Sequence, residues 1–137
     1  MATYINRRTS YAMQTLVRLA LAGDDAPLSR DVIAKSEGIP APFLEKILQQ
    51  LAGAGLIEGK KGPGGGYRLV HAPQDVSIMD VMNSIGEPVE INRCTTEEDA
   101  CDRSNCCPSA AIWKKVQREI DEILRRETLA SVIDGMT

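Results

Sequence analysis

Apolar residues along the first third of the chain recur at helical spacing, three times over. Ala12, Leu16, Leu19 and Ala20 share one face of a helix predicted over Thr9–Ala22, with Tyr11 adjoining and Arg18 pointing away. Gly23 through Pro27 ends that helix, as glycine and proline do past a helix C-terminus. Ser29 is suited to cap a short helix, Arg30–Glu37, with Val32, Ile33 and Ala34 as core candidates and Gly38 closing it. After Ile39 a longer helix is predicted over Pro40–Ala54. Leu44, Ile47, Leu48 and Leu51 form its buried stripe at i, i+3, i+4, i+7. Pro42, Phe43, Glu45, Lys46, Gln49 and Gln50 lie opposite. A short helix, a glycine turn and a longer helix with a polar outer face make a helix-turn-helix, or two ordinary packed helices.

The pattern then changes. Gly55–Glu58 reads as a short strand, and the run Gly59–Val70 holds a glycine-rich turn and a second strand. The glycines allow positive φ at the tip of the resulting β-hairpin. Lys60, Lys61 and Arg68 make it basic. A basic hairpin directly after a helix-turn-helix reads as a wing. Its arm can follow a phosphate backbone while the helix enters a major groove. A phosphate-binding P-loop is excluded, because no Gly-Lys-Ser/Thr follows the glycines.

Residues 72–76 connect to the second half. Ser77 and Asp80 form a capping box for a helix over Ile78–Ile85, expected to bury Ile78, Val81, Met82 and Ile85. Gly86 and Pro88 end it. Arg93–Pro108 then interrupts all periodicity and holds every cysteine of the chain: Cys94, Cys101, Cys106 and Cys107. Beyond it, Ser109 is placed to cap a long helix to about Glu127. Trp113, Val116, Ile120 and Ile123, with Ile112 and Leu124 beside them, form an apolar seam that calls for a partner helix. Thr128–Ile133 reads as a short final helix.

Size and charge sharpen this picture. At 137 residues and 43% apolar composition, one modest core with an appendage is expected. No run approaches the roughly 18 apolar residues of a membrane span, and Tyr11–Ala22 is too interrupted for a signal-peptide core. A cytoplasmic protein is predicted. Residues 1–71 carry nine Lys/Arg against six Asp/Glu, whereas residues 72–137 carry seven against thirteen. That division suits a first half that meets a polyanion.

The cysteine segment has almost no apolar residue besides its thiols, so it cannot build a core. In a reducing compartment clustered thiols are more often ligands or redox groups than structural bridges. Thiolates are soft ligands that take iron–sulfur clusters, zinc or cuprous ions. No repeated Cys-x-x-Cys pair argues for zinc, and no local Cys–His pairing argues for an enzyme.

Tyr11-Ala12, Gly38-Ile39, Phe43-Leu44-Glu45, Gly55-Leu56-Ile57 and above all Gly62-Pro63-Gly64-Gly65-Gly66-Tyr67 carry a resemblance. It extends through Cys94, Cys101, Cys107 and Trp113. The chain resembles the winged helix-turn-helix family of bacterial iron–sulfur transcriptional regulators of the IscR/NsrR type. The resemblance implies a mainly α fold with a small β-hairpin. Residues 1–76 would form the winged helix-turn-helix domain, and residues 77–137 the cluster-binding loop (93–108) and dimerisation helices. It implies double-stranded DNA with a palindromic operator as partner, bound by a homodimer. The expected DNA contacts are Arg7, Arg8, Pro42, Phe43, Glu45, Lys46, Gln49, Lys60, Lys61, Gly64, Gly65 and Tyr67. Pro40 and Pro42 depart from the serines usual in the family, which points to a different operator.

By the same resemblance Cys94, Cys101 and Cys107 hold a 2Fe–2S or 4Fe–4S cluster. The family's histidine ligand is replaced by Ala110, and the aspartate used by some members falls at or near Ser10. His71 reads as an ordinary surface residue, so Cys106 is the substitute fourth ligand. The resemblance then implies a repressor whose operator affinity depends on the cluster. The rival is a cluster-free thiol/disulfide redox-responsive regulator built on the same DNA-binding half.

Overall fold

The computed structural model describes residues 5–23, 25–91 and 108–136. Helix α1 (Arg7–Ala22) starts two residues before its apolar stripe predicts. Asn6 is the reason: its side chain accepts a hydrogen bond from the Thr9 backbone N–H at 2.9 Å, satisfying a first-turn donor. Ala12, Leu16 and Leu19 are buried as expected, and Ala20 packs at the edge of the core.

Helix α2 (Arg30–Glu37) is capped by Ser29, and Gly38 ends it in the left-handed region at φ 66°, ψ 33°. Only one of its three core candidates is buried. Ile33 is inside, Ala34 is half-buried and Val32 is 51% exposed. Successive helical positions lie about 100° apart, so a short helix resting on α1 and α3 turns one of three adjacent residues fully inward. Helix α3 (Ala41–Gly53) buries Leu44, Ile47, Leu48 and Leu51, the predicted stripe.

The hairpin pairs β1 (Ile57–Lys60) antiparallel to β2 (Gly66–Leu69), from Ile57 opposite Leu69 to Lys60 opposite Gly66. The first strand begins later than the predicted Gly55, because Gly55 turns the chain at φ 79° and the Leu56 N–H still bonds the Leu51 carbonyl of α3. Leu28 lies on the other edge of β2, exchanging two backbone hydrogen bonds with Tyr67 at 3.0 and 2.7 Å. That approach requires glycine next door: a Cβ on Gly66 would stand 2.6 Å from the Leu28 carbonyl carbon.

After a 3-10 turn, Pro73–Asp75, helix α4 (Ile78–Ser84) opens with the predicted capping box between Ser77 and Asp80. Val81, Met82 and Ile85 are buried. Ile78, expected inside, is half-buried: it is the first helical residue, where the backbone N–H pairs with the Glu127 carbonyl at 2.9 Å. Helix α5 (Ala110–Arg126) packs on α4. Ser109 holds its N-cap position without a side-chain cap bond. Helix α6 (Leu129–Asp134) has a capping box between Thr128 and Ser131, and its Leu129 N–H bonds the Val76 carbonyl at 3.0 Å.

The main core gathers Leu16, Ile33, Leu44, Ile47, Leu51 and Ile57 from the first half with Val76, Val81, Ile85 and Leu129 from beyond it. Both sides of residue 76 therefore share one apolar interior. No helix among the described residues is long and apolar enough to cross a membrane.

Candidate nucleic-acid interface and cysteine segment

With its apolar stripe inside, α3 turns Pro42, Phe43, Glu45, Lys46 and Gln49 outward. The Phe43 ring, 54% exposed, meets Tyr11 of α1 edge-on with centroids 6.5 Å apart. The Glu45 carboxylate faces Arg30 of α2 across 3.6 Å. Both side chains are about half exposed, so this pair is worth roughly 0–1 kcal/mol and breaks readily for a competing partner.

The wing supplies positive charge that α3, where outward Glu45 and Lys46 offset one another, does not. Lys60 and Lys61 are exposed and form no ion pair among the described residues. Arg68 does not add to it: its Nε donates to Glu58 Oε1 at 2.6 Å on the facing strand. Gly64 is exposed at the tip with φ 75°, and Gly65 packs beneath it. A Cβ on Gly65 would stand 2.1 Å from the Lys60 carbonyl oxygen, so this turn closes only on glycine. Tyr67 lays its ring against Gly59 and joins the edge of the core, with its backbone held by Leu28.

Arg7 is exposed at the start of α1. Arg8 is not: its guanidinium donates to Glu87 Oε1 at 2.9 Å and to Gln50 Oε1 at 2.5 Å. Arg7, Lys60 and Lys61 thus keep their charge toward solvent, whereas Arg8 and Arg68 pair with groups of the chain itself.

Cys94, Cys101, Cys106 and Cys107 lie outside the described residues. Their flanks are described, and one buried side chain holds the upstream one. Gln117 on α5, 7% exposed, accepts from the Ile91 N–H at 2.8 Å and donates to the Val89 carbonyl at 2.8 Å and to Asp121 Oδ1 at 2.9 Å. Ala110, at the place of the family's histidine, is buried at the first turn of α5, while Ser10 and His71 are exposed. Among the described residues no group of three or more His, Cys, Asp or Glu could hold a metal ion.

The contacts of Gln117, Arg30, Glu87 and Leu28 escape the reading of the sequence, as does that of Gln50, which the helical period places on the outer face of its helix and which is instead half-buried. Only Gln117 left a trace there: it sits midway between Ala110 and Leu124 at seven-residue spacing, a polar residue on an apolar seam. The other four depend on contacts made between separate elements.

The comparison with known proteins agrees with this architecture. A family model described as "Rrf2: Iron-dependent Transcriptional regulator" matches residues 5–135. The protein rrf2 of Nitratidesulfovibrio vulgaris is 30% identical over 129 residues, which cover 94% of this chain and 86% of that one. The structure of T. potens IscR superposes with a TM-score of 0.78 at 25% identity, covering 100% of this chain and 90% of that one. The structure of CymR, the global cysteine regulator of B. subtilis, shares the fold with a TM-score of 0.78 at 22% identity, covering 98% of each chain. This chain belongs to the Rrf2 family of DNA-binding transcriptional regulators, whose members are regulators and not enzymes.

Proposed function

We propose that this chain is a transcriptional repressor that binds a palindromic operator as a homodimer and whose grip on DNA is set by an iron–sulfur cluster on Cys94, Cys101 and Cys107, with Cys106 as fourth ligand. Residues 1–76 read DNA, and residues 77–137 sense and dimerise, in the cytoplasm. The observation that carries this reading is that all four thiols fall, in the sequence, between α4, which packs on α1 and α3, and α5, which presents an uncovered apolar seam.

The donor set fits the group. Four thiols and no other ligating cluster among the described residues suit soft iron–sulfur chemistry, in which thiolates hold the irons. When bound, the cluster would supply reactivity toward oxidants, nitric oxide or iron shortage, and the chain's own residues would convert its presence into geometry. Gln117 tethers the segment just ahead of Cys94 to α5. Phe43, Glu45, Lys46 and Gln49 face the major groove, where a carboxylate such as Glu45 accepts from cytosine N4. Pro42 lines the first turn of that helix, and Arg7, Lys60, Lys61 and the Gly64–Gly65 tip lie along the phosphates. Tyr67 holds the wing at its angle. Ile112, Trp113 and Ile123, each 40% exposed or more, supply the dimer seam with Val116 and Ile120.

The adjacent pair Cys106-Cys107 supports a second reading, in which the same DNA-binding half is switched by thiol oxidation with no cluster. One experiment separates them. Anaerobically purified protein is assayed for iron, sulfide and visible absorbance, then for binding to an operator duplex selected from a random library. Stoichiometric iron and sulfide, with affinity that changes when they are lost, bears out the first reading. Colourless protein whose affinity changes with reductant bears out the second. Serine in place of all four cysteines, with DNA binding and its oxidant response unchanged, overturns both.

A further inference from the structure

Arg8 stands where three parts of the molecule meet. It lies in the first turn of α1. One arm of its guanidinium reaches Gln50 on α3 and the other reaches Glu87, just beyond α4. Gln50 directly follows Gln49 of the outward face of α3. Glu87 lies on the other side of Pro88 from Val89 and Ile91, the two backbone positions that Gln117 holds. Cys94 follows three residues after Ile91.

This connector is stiff. Pro88 fixes its own φ and restricts Glu87 before it to extended backbone. Glu87 is tied back to α4 by its N–H, which bonds the Met82 carbonyl at 2.9 Å. Few free dihedrals therefore lie between residues 89–91 and Glu87, so a displacement of the one can reach the other. Glu87 is charge-paired to Arg8, and the same planar guanidinium holds Gln50. Guanidinium geometry forbids one arm from moving alone, because its donors lie in a rigid fork.

We propose that Arg8 is the positioning residue through which the state of the cysteine segment reaches the DNA-reading helix. It clasps Glu87 of the connector to Gln50 of α3 and does not itself contact DNA. The proposal rests on the sensing reading above, in either its cluster or its thiol form. It gives that reading a physical coupling element, which spatial closeness alone does not.

The test uses the full-length protein in two states, anaerobically isolated and treated with hydrogen peroxide and a chelator, on an operator duplex selected by the unaltered protein. Allosteric couplings commonly amount to roughly 5–150-fold in affinity. Arg8→Gln should bring the ratio of affinities between the two states to within about threefold, with melting temperature little changed. Glu87→Ala and Gln50→Ala, which cut one arm each, should do the same. Adding Glu87→Ala to Arg8→Gln should remove nothing further, since both act through one clasp. Arg7→Gln, which cuts no arm, should leave the ratio as it was.

A second readout is amide hydrogen exchange. Arg8→Gln should speed exchange both in residues 86–91 and in the C-terminal half of α3. A ratio left intact by Arg8→Gln overturns the clasp. So does an equal loss of affinity in both states with the slope of log affinity against log salt reduced by about one, the mark of a phosphate contact. Should the unaltered protein show no difference between its two states, the sensing reading fails. Exchange then decides the clasp: speeding confined to one of the two regions overturns it, and speeding in both upholds the mechanical link.

Discussion

Helices α3 and α5 look alike on paper and end up differently. Each has an apolar stripe at helical spacing with charged or polar residues opposite, over 13 and 17 residues respectively. In α3 the stripe is covered: Leu44, Ile47, Leu48 and Leu51 are each 1% exposed or less, pressed by α1, α2, α4 and β1. In α5 only Ala110 and Gln117 are buried, whereas Ile112, Trp113 and Ile123 remain 52%, 40% and 48% exposed. Covering a large apolar side chain is worth about 1.5–3 kcal/mol, so an uncovered row of them represents driving force for association. The lesson is that periodicity says which residues share a face, and only packing says whether that face is already satisfied.

The comparison can be broken most directly through stability. Leu48→Ala should lower unfolding free energy by about 2–5 kcal/mol in urea melts, the cost of a cavity in a covered stripe. Ile123→Ala, measured at protein concentrations where the chain is monomeric, should cost no more than about 0.5 kcal/mol. Similar losses at the two positions would mean that α5 is covered within its own chain.

Next in size is assembly. Trp113→Asp should weaken self-association by at least about 2 kcal/mol, near thirtyfold, as expected for a central aromatic anchor. Sedimentation equilibrium reads this, and an unchanged association constant would remove α5 as the dimer seam. Smaller is the support that both helices share in α4. Ser77→Ala removes a hydrogen bond of 3.0 Å to the Asp80 N–H and should cost about 1 kcal/mol in the same melts.

The smallest stability effects belong to the outward face of α3 and the wing. Lys61→Gln should leave melting within about 0.5 kcal/mol. It should lower affinity alike for all DNA sequences and reduce the salt slope by about one. Glu45→Ala should do the reverse, leaving the salt slope and changing which bases are preferred at its contact. If the two variants behave alike, Glu45 is a solvated helix residue and reads no base.

Much of the fold was legible because local chemistry and burial agree. Ser29, Gly38 and the Ser77–Asp80 capping box mark helix ends that the structure retains, and the four apolar residues of α3 are those its period names. The errors fall where two neighbours compete. Val32 is as apolar as Ile33, but α2 has room to turn only one of them inward. Ile78 fits the stripe of α4, yet its N–H is taken by Glu127 at the helix start. Among the candidate DNA contacts, the sequence could show that Arg8, Arg68 and Lys61 are cations. It could not show that Arg8 meets Glu87 and Gln50, or that Arg68 meets Glu58, while Lys61 keeps its charge outward.

By itself, then, the order of residues determined everything that depends on spacing of a few positions: helix faces, caps, the glycine turn of the wing and the concentration of thiols in one short polar stretch. Helical and hairpin geometry repeat over such distances, so the information is local. The tertiary structure alone decided which charges are neutralised, which apolar face stays open and which side chain joins α1, α3 and the connector that follows α4. Those outcomes depend on partners 42 and 79 residues apart, as Arg8 is from Gln50 and Glu87. No local period carries that distance; only the packing of the whole chain brings such groups within hydrogen-bonding range.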